Sequence, residues 1–422
     1  MSARRMRRAH QVRSNRASDM RHRHWVFTGS ALVIASAAAI SVAIAPQVSF
    51  VRSATTTPDA LFTPPPIFTK HLPTPEPMYA IYMTQCAVGT PSLRDALVKF
   101  IDATKLNAVI IDIKDYAGKL SFRTDNPALA ASVSEKCGAA DMKEFIEMLH
   151  EKGIYVIGRI TVFQDPFYAI NHPELSVQSR SRPGEPWKDH KGLSFVAVNA
   201  KPYWEYIIEL SKESYALGFD ELNYDYVRWP SDGPMGDVVY PSDDHAGELE
   251  KFFRYLQSQV KPLGVMMSVD LFGMTTTNTD DLNIGQVLER ALPYFDYVAP
   301  MVYPSHYPKG FLGLSNPNFD TYRVVNYSMS EAVKRAIATT TTVMAFAHKR
   351  VGTSTPAIYE KPSYSPLKLR PWLQDFDYGK DYLPQDILDQ TRATYDAGLT
   401  SWFFWDPANR YTSLRAVLES EE

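Results

Sequence analysis

From Tyr79 to the C-terminus one rhythm repeats eight times: a short apolar, β-rich run followed by a longer amphipathic stretch. The strand-like runs fall at 79–84, 108–113, 155–162, 219–226, 265–271, 297–303, 342–346 and 401–405. Helical patterns follow at 92–103, 142–151, 203–217, 247–260, 284–292, 328–337, 385–396 and 413–418. Such alternation is the signature of βα units around a parallel sheet. Eight units, with no glycine-rich turn after the first run, predict an α/β chain folded as a (β/α)8 TIM barrel over residues 79–418, not a doubly wound sheet. Gly153, Gly218 and Gly398 each stand after a helix and before a strand, where a helix end favours a left-handed residue. The long connections near 163–200, 228–245, 303–325 and 347–383 all follow strands, which in a barrel places them on the catalytic face.

The residues before the barrel divide into three parts. Residues 1–24 form a basic tail with Arg4, Arg5, Arg7, Arg8, Arg13, Arg16, Arg21 and Arg23 against the single acid Asp19. Residues 25–45 carry no charge and match the length of about 20 residues that spans a bilayer. The flanking arginines predict a cytoplasmic N-terminus and an extracytoplasmic barrel. A signal anchor fits this run better than a signal peptide, which has a shorter apolar region, although Ala43-Ile44-Ala45 resembles a cleavage site and would give a secreted protein. Pro46, directly after that site, opposes cleavage. Residues 46–78 hold seven prolines between Pro58 and Pro77 among threonines and are expected to act as a semi-rigid spacer. The membrane is thus one expected partner.

Composition narrows the chemistry. Lys and Arg number 44 against 47 Asp and Glu, and hydrophobic residues make up 45%, which excludes a wholly basic nucleic-acid binder and global disorder. No HExxH or cysteine cluster offers a zinc site, His22 and His24 of the basic tail lie outside the barrel, as do His10 and His71, and no GxSxG elbow or phosphate-binding loop is present, so neither a metal nor an organic cofactor is expected. Cys86 and Cys137 follow the first and second strands on one barrel face, where a disulfide is one of two open outcomes.

Barrel enzymes keep their chemistry at the C-terminal ends of strands. In the fourth run, GFDELNYDYVRWP, a period of two puts Glu221, Asn223 and Asp225 on one face and Leu222, Tyr224 and Tyr226 on the other. Polar residues turned into a barrel are costly unless bonded or used, which makes Asp225 the first candidate for a catalytic carboxylate. The fifth run ends in Ser268 and Asp270 on one face, so two acids close adjacent strands. Paired carboxylates of this kind suit glycoside hydrolysis. On the second strand Asp112 and Lys114 share a face and can pair with each other or bind substrate, with Asp115 beyond them. Arg159 lies among apolar neighbours and needs a carboxylate partner. Arg228, Trp229, Tyr303, His306, Trp405 and Asp406 stand at the ends of later strands, and the rings among them favour a carbohydrate cleft.

The runs VIIDIKDYAGKLSF, YVIGRITVFQDP, GFDELNYDYVRWPSDG, SVDLFG, FDYVAPMVYPSHY and SWFFWDP resemble a glycoside hydrolase family of bacterial exported or membrane-anchored proteins, with a barrel related to the α-amylase and melibiase superfamily. The resemblance spans nearly all of residues 79–415. It implies that Asp225 matches the strand-four nucleophile and that Asp270 is the best match to the acid, with Asp115 and Asp406 in reserve. The glutamate acid that some relatives carry on strand five or six has no counterpart here. A polysaccharide or envelope glycan is the expected substrate. Arg159, Lys114 and Asn223 would position the acids, and Tyr303, Trp229 and Trp405 would line the sugar site. Two alternatives use the same residues: a non-catalytic glycan-binding barrel, and a transglycosylase that remodels the cell wall.

Overall fold

A computed structural model describes residues 70–420. The basic tail, the 25–45 segment and most of the spacer lie outside the described residues. Among the described residues no helix is long and apolar enough to cross a membrane.

Eight strands close a barrel: β1 Tyr79–Met83, β2 Ala108–Lys114, β3 Tyr155–Thr161, β4 Glu221–Asp225, β5 Met266–Phe272, β6 Tyr297–Met301, β7 Trp372–Gln374 and β8 Trp402–Trp405. Neighbours in the ring are consecutive in the chain, β8 returns to β1, and every pairing is parallel. The helices that follow the strands are α1 Pro91–Asp102, α2 Met142–Glu151, α3 Lys201–Leu217, α4 His245–Val260, α5 Leu288–Ala291, α6 Thr321–Ile337, α7 Pro384–Asp396 and α8 Thr412–Leu418, with two short helices, Gln85–Val88 and Pro166–Asn171, in the connections. Gly153 (φ 74°) and Gly398 (φ 83°) supply the left-handed turns that let α2 and α7 end and the next strand begin.

Strands covered on both sides read as continuous apolar runs, and every residue of β2 and β3 is buried. Outward residues such as Val109, Ile111, Leu222 and Val269 meet Phe100, Leu149, Ile207 and Phe252 of the surrounding helices. Inward residues Ala80, Tyr82, Ile110, Ile157, Ala299, Trp372 and Phe403 fill the barrel itself. Each such buried large side chain contributes roughly 1.5–3 kcal/mol over its exposed state.

The end of the expected spacer is part of this fold. Leu72 packs on the barrel interior and Met78 is fully buried in it. The Leu72 amide donates to Asp220 Oδ1 (2.7 Å), the Met78 amide to Ser401 Oγ (2.9 Å), and Thr74 Oγ1 bonds Tyr155 Oη (3.1 Å). Residues 70–78 therefore seal the barrel's N-terminal end, opposite the catalytic face.

The expected seventh strand at 342–346 is corrected. That segment lies outside the barrel, with Met344 61% and Phe346 51% exposed, beside a small antiparallel sheet of Thr340–Thr341, Lys349–Val351 and Ile358–Glu360. The barrel is closed instead by Trp372–Gln374, directly after Pro371. A proline at the first residue of a strand is tolerated, but in a sequence it reads as a break. The expected helix at 284–292 shortens to one turn for a related reason: Leu282 and Asn283 adopt positive φ, and Gly285 follows.

Cys86 and Cys137 form a disulfide, with Cα atoms 4.5 Å apart. It ties the short helix Gln85–Val88, after β1, to the long connection after β2, and so braces the catalytic rim. Bridges of this kind persist in oxidising compartments. Closing 51 residues removes unfolded-state entropy equivalent to about 4 kcal/mol. Cys86→Ser is thus expected to lower the unfolding free energy by a matching amount, and reduction of the wild type should reproduce the loss in an unfolding titration.

Candidate active site

The polar face of β4 points into the barrel at three levels, each with its own partner. At the base, Glu221 Oε2 meets Arg370 Nη1 at 3.0 Å, both side chains fully buried. One level up, Asn223 Nδ2 donates to Ser268 Oγ (3.1 Å) and to Asp270 Oδ1 (2.8 Å). At the top stands Asp225. The other face of β4 packs outward, where Tyr224 Oη bonds Ser211 Oγ of α3 at 2.9 Å. Tyr226 leaves the strand with φ 50°, in the left-handed region, and its amide donates to Asp225 Oδ1 at 2.5 Å.

Arg159 links two acids. Its Nε and Nη2 both donate to Asp225 Oδ2, the Nε at 3.1 Å, while Nη1 donates to Asp112 Oδ1 at 2.6 Å. The β2–β3 register sets Asp112 beside Arg159, and the β3–β4 register sets Arg159 beside Asn223, one inward position below Asp225. Tyr82 donates its hydroxyl to Asp112 Oδ2 and stacks on Trp405 at 3.9 Å. The guanidinium carbon lies 5.1 Å from the centre of the Trp405 ring. Burial alone would loosen the proton on Arg159, but the charges of Asp225 and Asp112 outweigh it and hold the guanidinium charged.

Asp270 has a different environment. It is 1% exposed, and its Oδ1 accepts from Asn223 and from Trp372 Nε1 (2.8 Å), with no ion pair to a cation among the described residues. Burial, and next the charge of Asp225, push its carboxyl well above the ordinary range. Asp112 is raised by burial to about 6, even against Arg159 and Tyr82. One guanidinium thus holds two of the three buried carboxylates, and the third, Asp270, is the one whose carboxyl burial and the charge of Asp225 push furthest towards its neutral form.

Other expected site residues lie elsewhere. A register shift between Asp112 and Lys114 breaks their common face, so the two do not pair. Lys114, fully buried, binds Asp165 Oδ2 (2.8 Å), Thr161 O (2.6 Å) and Tyr203 Oη (3.1 Å), a bracket beneath the rim that offers no surface to a ligand. Asp115 organises its own turn, accepting from the amides of Ala117 (3.0 Å) and Lys119 (2.9 Å) and from Gln85. Asp406 does the same with the amides of Ala408, Arg410 and Tyr411, so neither reserve acid is free to face Asp225. Trp229 is fully buried and donates Nε1 to His245 O (3.2 Å), which removes it from the sugar site. Arg228 is half-buried at the rim over Tyr226, with Nη1 on Ser231 Oγ (2.8 Å). Tyr303 is nearly buried, and the charge of Asp270 adds to burial in raising its hydroxyl, while His306 is exposed above it.

Two residues of this site escape a strand-by-strand reading. Tyr82 shares the inward face of β1 with Ala80, a period-two signal obscured by its apolar surroundings. Trp372 sits on the strand hidden behind Pro371.

Among known families, the model described as "Putative glycosyl hydrolase domain" matches residues 80–411. The chain belongs to this family. Its domain is of the glycoside hydrolase class, and a glycan is the substrate that membership implies. No curated protein matches the sequence. Among solved structures, the glycoside hydrolase domain of PgaB (BpsB) from Bordetella bronchiseptica is 15% identical, covering 81% of this chain and 99% of its own, with a TM-score of 0.55. Alpha-L-fucosidase isoenzyme 2 from Paenibacillus thiaminolyticus is 11% identical over 82% of this chain and 49% of its own, with a TM-score of 0.53. At these identities the likeness concerns the barrel fold. A hypothetical protein from Ruminiclostridium thermocellum is 29% identical over 45% of this chain and 96% of its own, at a TM-score of 0.41.

Proposed function

We propose that this family member hydrolyses O-glycosidic bonds of a polysaccharide or envelope glycan outside the cytoplasm, with Asp225 and Asp270 as the working carboxylates. The observation that carries this reading is the unlike setting of the two acids: Asp225 is held by a guanidinium, and Asp270 is buried beside it with its pKa driven up. A carboxyl that burial pushes towards its neutral form suits the acid, and a carboxylate held by a guanidinium suits the group that acts on the anomeric carbon. Asp225 acts on the anomeric carbon, directly or through water, as the C–O bond breaks. Asp270 delivers its proton to the leaving oxygen, which takes the bonding electron pair. Arg159 and Asp112 fix Asp225, Asn223 fixes Asp270, and Trp405 offers a ring face to the sugar.

The full-length protein should release reducing ends from one member of a panel of polysaccharides and envelope extracts, while Asp225→Asn should not. Retention on a glycan without release by either protein would favour the binding-barrel alternative. Residues 25–45 are proposed to hold the barrel at the membrane as a signal anchor, a location with which the disulfide agrees. Mass spectrometry of the native N-terminus should find the segment intact, and a terminus at Pro46 would make the protein secreted.

A further inference from the structure

The aromatic residues beyond Asp270 form a continuous series rather than scattered core. Trp372, bonded to Asp270, is 1% exposed and Tyr303 8% exposed. Phe376 is half-buried and sits edge-on to Tyr303 with centroids 5.6 Å apart. His306 is exposed and touches both, at 5.5 Å from Tyr303 and 5.9 Å from Phe376. Tyr378 lies nearly parallel to His306, 5.7 Å away and 28° tilted, and is 62% exposed. Exposure rises step by step from the buried acid to solvent.

The backbone that carries the outermost ring is also anchored. Asn318, itself 4% exposed, donates Nδ2 to Tyr378 O at 2.7 Å and accepts from Tyr382 Oη at 2.7 Å, and Asp377 accepts from the Tyr382 amide at 2.7 Å. A large exposed ring whose backbone is pinned, at the end of a series that starts beside Asp270, is suited to a ligand that has both apolar faces and hydroxyl edges.

Direction follows from which carboxylate the wall adjoins. It rises on β6 and β7 from Trp372, which is bonded to Asp270, whereas Asp225 is held by Arg159 on β3 and, through it, linked to Asp112 and Tyr82 on β2 and β1. We infer that the wall of Tyr303, Phe376, His306 and Tyr378 is the leaving-group subsite, which holds the sugar units released when Asp270 gives up its proton. The occupant is a chain of two or more sugar rings, so the substrate class is an oligosaccharide or polysaccharide cut at a position with sugars on both sides, rather than a glycoside of a small alcohol. This inference rests on the hydrolase reading above.

The test is a ladder of oligosaccharides of the cleaved glycan, lengthened one unit at a time on the leaving-group side. In the wild type kcat/KM should climb until the wall is filled. In Tyr378→Ala the gain from the outermost unit should shrink by about tenfold, the ratio that corresponds to losing one good stacking contact. Tyr378→Trp should restore it, which a merely structural role for Tyr378 would not predict. The same ladder read as Kd on Asp225→Asn reports the wall without turnover. Unchanged length dependence in Tyr378→Ala, with cleavage intact, overturns the wall and leaves the hydrolase. If no glycan is cleaved or bound by any form, both fall.

Discussion

Replacing Asp225 by Asn is expected to lower turnover by about a thousandfold while leaving the barrel folded and its glycan affinity in place. In free energy that is about 4 kcal/mol of transition-state stabilisation. The substitution keeps size and an acceptor oxygen for Arg159 or the Tyr226 amide, and Arg159 keeps its ion pair with Asp112. What disappears is the negative charge beside the anomeric carbon. A second consequence follows from the same geometry. Asp225's charge helps raise the pKa of Asp270, so neutralising it should move the alkaline limb of any residual activity to lower pH. Wild-type rates in Asp225→Asn would sink the assignment and direct attention to Asp112, the other carboxylate on Arg159.

Much of this site was legible because period two is a strong constraint. Glu221, Asn223 and Asp225 had to share a face, and with Leu222 and Tyr224 among the helices the polar set had to point inward. The partner of Arg159 was foreseeable in kind, since a guanidinium amid apolar residues requires an acid. The misreadings have physical sources. A one-residue register shift after Asp112 turned Lys114 to Asp165, and pattern alone carries no mark of such a shift. The threonine-rich run at 340–346 has β character without burial, because a loop can use the same residues as an edge strand. Trp229 looked like a platform from its place in the chain, yet the connection after β4 folds over it. Trp372 lies on, and Phe376 and Tyr378 follow, a strand of three residues, too short for any periodicity to show.

Asp270→Asn should divide substrates by their leaving group. A carbohydrate leaving oxygen needs a proton as the bond breaks, so natural glycans are expected to lose between about a hundredfold and ten-thousandfold in kcat. A glycosyl fluoride, whose leaving group departs without protonation, should lose far less. The pH profile supplies an independent sign. The wild type requires Asp270 protonated, so its rate falls as pH rises through the elevated pKa, and in Asp270→Asn that alkaline limb should be gone. Stability moves the same way. A carboxyl that holds its proton more tightly when folded stabilises the fold fully below its unfolded pKa of about 3.9, and loses that contribution as pH rises towards the folded value. Unfolding titrations across that interval should slope downward in the wild type and less so in the variant, where Asp112 still contributes up to about 6. Equal losses on fluorides and natural glycans would assign Asp270 to holding Asn223 and Trp372 in place.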